Sequence, residues 1–165
     1  MITLIDTALL DAVSAEAKAS PRRRKNRNFH SDNAQPGQRL LNAVEPGSYV
    51  APHRHLDPLK GETMTVLRGR LGLVLFDDSG KVVASHVLGA GEAALGVDIP
   101  FGTWHSVLAL EPGTVFLEAK AGPYLLLSNE ERAAWAPAED DAEAPAYQRE
   151  LVTLFSKSKG VRISD

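Results

Sequence analysis

The spacing of apolar and polar positions divides the chain into a helical start, a long stretch of short β-prone runs and a helical end. Leu9, Leu10, Val13 and Ala17 recur at helical spacing behind Asp6, which is suited to cap a helix, and Ser20-Pro21 ends the pattern. This predicts a helix packed on the outside of the core. Arg22 to His30 is basic and amide-rich without a clear period, and reads with the residues up to Gly37 as a loop. From Arg39 the grammar changes to strands, at residues 40–44, 49–52, 62–68, 71–76, 82–88, 92–97, 105–110 and 115–118. Turn signals such as Glu45-Pro46-Gly47, Arg68-Gly69-Arg70, Asp78-Ser79-Gly80 and Glu111-Pro112-Gly113 separate them. Eight short strands at this spacing predict a sandwich or a double-sheet barrel. Beyond Pro123, Ser128 and Glu131 form a capping-box pair ahead of Ala133-Ala134-Trp135, which predicts a helix stopped by Pro137. An acidic linker follows, and Pro145 opens a last helix with Leu151, Leu154 and Phe155 on one face. The tail from Ser156 to Asp165 is expected to be disordered. The expected organisation is a helix and basic loop over 1–38, a barrel over 39–127, and helices with a tail over 128–165.

Composition narrows the chemistry. At 165 residues and 44% hydrophobic, the chain holds one sizeable core and little room for a second domain. A net charge of -3 argues against nucleic acid or an anionic membrane surface as partner. The absence of cysteine removes disulfides, thiolate ligands and a cysteine nucleophile, so a bound metal would have nitrogen and oxygen ligands. The first residues lack a basic n-region and a long apolar stretch, and a cytoplasmic protein is the expectation.

The candidate chemistry lies in Pro52-His53-Arg54-His55, Glu62 and Pro100-Phe101-Gly102-Thr103-Trp104-His105. Residues two apart on a strand share a face, so His53 and His55 project together while Arg54 points away. Glu62 opens the next long strand, with Met64 and Val66 continuing its face, and comes opposite the histidine pair. The turn at Pro100 and Gly102 aims His105 into the same interior, with Trp104 on the opposite, core-facing side. Three imidazoles and one carboxylate suit a divalent transition metal, whether iron, manganese, nickel, zinc, cobalt or copper, and on an octahedral ion they leave two positions open.

At these residues the chain resembles the cupin superfamily. Gly47, His53, His55, Glu62 and Gly69 match its first motif, Gly-x5-His-x-His-x3-4-Glu-x6-Gly, and Pro100, Gly102 and His105 match its second. The pattern departs in three places. Residues 56–61 lengthen the spacing between His55 and Glu62, no glycine stands five residues before Pro100, and Ala109 replaces the final Asn of the second motif. Within that superfamily the segments from Arg23 to His30, from Arg39 to His55 and from Asp98 to His105 look like the WbuC-like cupin metalloproteins. The resemblance implies an all-β cupin jelly-roll (double-stranded β-helix) barrel with flanking N- and C-terminal helices, and a homodimer. It further implies a setting in bacterial surface-polysaccharide (O-antigen) biosynthesis, with a small sugar or sugar nucleotide as substrate.

The basic segment is the other candidate. Arg23, Arg24 and Arg27 are expected to fold over the barrel mouth and hold an anion or sugar hydroxyls, with Asn26, Asn28 and His30 adding neutral hydrogen bonds. Surface ion pairs are the competing explanation of these arginines. His30 and Tyr124 are candidates for proton transfer. The expected activity is a metal-dependent isomerase, epimerase or oxygenase; the alternative is a cupin that binds or senses a sugar or anion without converting it.

Overall fold

The Asp6 side chain accepts a hydrogen bond from the Leu9 amide at 2.9 Å and starts α1 (Thr7–Ala19), which ends where Ser20 turns extended ahead of Pro21. Val13 and Ala17 seat this helix on Leu41, Ala43 and Val115, the outer face of a sheet. The computed structural model describes residues 2–156, so the expected disordered tail lies, beyond Ser156, outside the described residues.

Eight strands follow: β1 (Arg24–Asn28), β2 (Gly37–Val44), β3 (Glu62–Arg68), β4 (Arg70–Phe76), β5 (Val82–Gly89), β6 (Gly96–Ile99), β7 (Trp104–Ala109) and β8 (Thr114–Ala121). They form a five-stranded sheet in the order β1-β2-β8-β3-β6 and a three-stranded sheet in the order β5-β4-β7, antiparallel throughout. Alternation sets the inner faces: Glu62, Met64 and Val66 of β3 are buried while Thr63, Thr65 and Leu67 are exposed. Met64, Val66, Leu71, Leu73, Leu88, Val107 and Phe116 fill the space between the sheets. This is a two-sheet, all-β jelly-roll architecture. A second helix, α2 (Ala144–Thr153), places Leu151 against Val74, Phe76, Trp104 and Leu108 on the outside of the smaller sheet. Among the described residues no helix is long and apolar enough to cross a membrane.

Four sequence expectations differ from the fold, the smallest being the strand expected at 92–97, which runs at 96–99 after a turn. The basic segment expected as a loop contains β1, paired residue by residue with β2 from Arg24 opposite Val44 to Asn28 opposite Leu40, so the sheet begins before residue 39. Its polar side chains conceal a strand because β1 is an edge strand with little apolar burial to reveal the period. Residues 49–52 form no strand: side chains bond their carbonyls, Arg24 donating to Tyr49 O at 2.8 Å and Ser106 to Val50 O at 2.6 Å. The segment 128–135 contains the expected contact, with the Ser128 amide donating to Glu131 Oε2 at 2.9 Å, but runs as turns. Its backbone pairs instead with the first-motif segment, Arg54 N–H donating to Glu131 O and Ala133 N–H to Pro52 O.

Gly69, between β3 and β4, has φ +77°, and a Cβ there would lie 2.5 Å from Thr114 Oγ1 and 2.8 Å from its Cα. Gly69→Ala is therefore expected to destabilise the protein by roughly 2–4 kcal/mol in urea unfolding, the combined effect of a left-handed backbone and a clash with a neighbouring strand.

Candidate metal centre

Two backbone devices bring the candidate ligands together. His53 and His105 form an isolated antiparallel bridge, each amide donating to the other's carbonyl at 3.0 and 2.9 Å, which holds their ring centroids 4.5 Å apart. Gly102, at φ +78°, donates its amide to His55 O at 2.6 Å and so fastens the second-motif turn onto the first motif. Glu62 enters at the start of β3, where register sets it between Ile99 of β6 and Lys120 of β8. One donor atom from each of His53, His55 and Glu62 falls within 4.8 Å of the others. His105 Nε2 lies 3.3 Å from Glu62 Oε2.

The tautomers are set by the backbone. His53 Nδ1 lies 3.1 Å from Ala51 O, and His105 Nδ1 lies 2.9 Å from Thr103 O. Each Nδ1–H therefore donates to a carbonyl and leaves an Nε2 lone pair aimed inward. His105 Nε2 is buried without a hydrogen-bond partner, so two electron-rich atoms, this nitrogen and Glu62 Oε2, face each other across 3.3 Å. A cation between them resolves that arrangement. Burial, and next the neighbouring His105, push His53 down to about 3, which keeps its ring neutral and able to ligate. His55 Nε2 meets Glu62 Oε1 at 2.7 Å. The residues present thus fit a divalent transition-metal ion, which His53, His55, Glu62 and His105 would hold.

The rest of the centre is electrostatic support. Burial alone would raise the Glu62 carboxyl, but the His55 imidazole and the Lys120 ammonium oppose it and hold the group below the usual carboxylate range. Lys120 Nζ lies 2.8 Å from Glu62 Oε1 and 2.6 Å from Glu118 Oε1. Burial would lower the Lys120 ammonium; Glu118 and Glu62 reverse that and raise it, so it stays charged. Asn42 Nδ2 donates to Glu118 Oε2 at 2.8 Å and completes the chain. Lys120, Glu118 and Asn42 were not singled out from sequence, although alternation along β8 puts Phe116, Glu118 and Lys120 on the one inward face.

A cavity of about 390 Å³ opens onto this cluster. It is lined by His53, His55 and Lys120, by Tyr124 and Leu125 to Leu127, and by Asp57, Lys60 and Glu131. Tyr124 thus lies at the pocket, as its candidacy requires. The basic segment divides. Arg24 is drawn into an ion pair with Glu139 and a bond to Tyr49 O, and Arg23, at φ +54°, donates from Nε to Pro46 O at 2.8 Å. Arg27 and Lys25 take the opposite face of β1 from Asn26 and Asn28; Lys25 pairs there with Glu16 of α1. None of Arg23, Arg24 and Arg27 lines the cavity over the histidines, because edge-strand pairing and ion pairs place them elsewhere. His30 is buried with Nδ1 against the Arg39 backbone, and with Asn28 it lines an adjoining recess. Trp104 is buried, as its expected core-facing position requires.

Elemental analysis of protein purified without added metal is expected to find one transition-metal ion per chain in the wild type. His53→Ala and His105→Ala should each lose most of it while keeping the fold; full occupancy in the double variant would exclude this centre. Chelation should lower stability, by about 2.7 kcal/mol relative to protein holding free metal at a hundredfold excess over its Kd, read as a fall in thermal midpoint.

The polypeptide has structural relatives at low identity. KdgF from Halomonas sp. aligns over 62% of this chain and 82% of its own, at 16% identity and TM-score 0.48. The conserved SPY1581 protein of unknown function from Streptococcus pyogenes aligns over 76% of this chain and 91% of its own, at 12% identity and TM-score 0.50, a likeness of fold alone. Lactobacillus farciminis oxalate decarboxylase aligns over 61% of this chain but 29% of its own, at 20% identity and TM-score 0.47. No curated protein matches the sequence. A family match covers residues 5–88, from the first turn of the chain through β5, and takes in His53, His55 and Glu62. With half of its length so matched, the chain belongs to the family described as a domain of unknown function, DUF6016.

Proposed function

We propose that this protein is a metal-dependent cupin enzyme acting on a small sugar or sugar-nucleotide substrate, in the setting of bacterial surface-polysaccharide biosynthesis that the WbuC-like resemblance implies. The observation that carries the metal is the buried, unpartnered His105 Nε2 facing Glu62 Oε2. The observation that favours catalysis over a structural ion is the cavity on the same histidines, which leaves room for a substrate at an open coordination position. When bound, the ion would supply Lewis acidity toward a carbonyl or hydroxyl oxygen, or a redox couple if it is iron, manganese or copper.

The chain's own groups supply the remainder. Lys120 holds Glu62 by its Oε1 and leaves Oε2 directed at His105. Leu125 to Leu127 offer an apolar wall for the C–H face of a sugar ring, while Asp57, Lys60 and Glu131 offer acceptors and donors to its hydroxyls. Tyr124, half exposed on the same wall, would hold or deliver a proton from its phenol oxygen. The second reading is a cupin that binds or senses the same ligand without converting it; it is favoured by the ion pairs that already engage Lys120 on both sides.

Metal-free protein reloaded in turn with iron(II), manganese, nickel, zinc, cobalt and copper, then incubated with monosaccharides and sugar nucleotides, separates these readings by NMR. At least one metal form is expected to convert a substrate, and Tyr124→Phe should retain the metal while turnover falls about 100-fold or more. Saturable binding with no conversion in any metal form would establish the binding reading in its place.

A further inference from the structure

Beside the metal cavity, β1, β2 and β8 enclose a second recess of about 220 Å³. The pairing register builds it. Asn28 stands opposite Leu40, Leu40 opposite Glu118, and Glu118 opposite Met64 of β3, so one cross-strand row runs from the sheet edge to the metal-bearing strand. The next row carries Gln38, Lys120 and Glu62. Asn26 and Asn28 project into the recess from the edge strand and make no side-chain hydrogen bond among the described residues. Glu118 is 7% exposed; Asn42 donates to its Oε2 at 2.8 Å and Lys120 Nζ lies 2.6 Å from its Oε1. Lys120 and Tyr124 line both spaces, so the recess adjoins the metal cavity across those two side chains.

Asn26 and Asn28, exposed on the edge strand, offer donors and acceptors to the recess, and each Glu118 oxygen keeps a lone pair beyond its bond to Asn42 or Lys120, so a ligand there meets uncommitted polar partners. The chemistry of the recess is neutral recognition. A carboxylate accepts from hydroxyl or amide N–H groups, and each Asn both donates and accepts. No arginine lines it, so a phosphate is not what it suits.

We infer that this recess is a second substrate lobe, which binds a neutral, polyhydroxylated or N-acylated group one ring away from the centre at the metal. The inference rests on the sugar reading proposed above and extends it: the substrate spans at least two units, one in each lobe. Asn26, Asn28 and Glu118 then determine specificity, and the histidine cluster determines chemistry.

Calorimetric titration of the metal-loaded protein with named sugars tests this: glucose and maltose, and N-acetylglucosamine and its β-1,4-linked disaccharide. Wild type is expected to bind at least one disaccharide tenfold or more tightly than its monosaccharide. Asn26→Ala/Asn28→Ala, on an exposed edge strand away from the ligands, should keep its metal content and lose that margin. A margin that persists in the double variant, or monosaccharide binding with no margin in wild type, overturns the second lobe while leaving the sugar reading in place. Binding of none of the four sugars to wild type overturns the second lobe, and failure of the sugar nucleotides as well overturns the sugar reading.

Discussion

A carboxylate in the interior is the constraint on which the rest of the structure depends. Glu62 is 2% exposed, and a charge taken that far from water survives only with partners close on several sides. The fold supplies Lys120 from the neighbouring strand and His55 from the preceding loop, with Glu118 behind Lys120 to balance that second charge and the unpartnered His105 Nε2 facing in from the opposite sheet. A metal ion at the histidines would add the largest charge of all, and the same carboxylate would serve it as ligand. Remove any partner and the remaining charges lose their compensation, which makes this small group of side chains one cooperative unit.

The positions of these partners follow from backbone geometry more than from side-chain packing. The His53–His105 bridge uses both ladder hydrogen bonds of an antiparallel pair, although neither flanking stretch of residues 49–55 continues as a strand. The Gly102 amide on His55 O closes the loop between the motifs. Both Nδ1 atoms lean on carbonyls two residues upstream in the chain, so ring orientation is determined locally by the same residues that make the bridge.

Much of this could be read from the sequence, for identifiable reasons. Buried strands such as β3, β4 and β7 have apolar periods and turn residues at their ends, and His53, His55, Glu62 and His105 sit at spacings that alternation brings to one interior. What stayed hidden has little apolar burial or depends on distant pairing. β1 is a polar edge strand whose identity comes from β2 opposite it. Residues 128–135 have a helix-start contact, yet their backbone bonds to Pro52 and Arg54, a long-range choice that no local window contains. Lys120 and Glu118 resemble any charged strand end until the register with β3 sets them beside Glu62 and Met64. Arg24 reads as an anion-binding side chain until Glu139 is found beside it.

The division between what holds the histidines and what walls the cavity has an evolutionary consequence. Of the candidate ligands, Glu62 and His105 come from sheet strands, His53 from the backbone bridge and His55 from the loop that Gly102 fastens, whereas Tyr124 and the three leucines after it belong to no strand or helix. That segment is held at its ends, by Tyr124 N–H on Asn33 O and by the Ser128–Glu131 turn, and its middle residues carry exposed side chains. Substitutions in such a stretch can accumulate at little cost to folding. Descendants of one ancestral barrel can therefore diverge in what they accept while inheriting the same cluster of histidines and carboxylate.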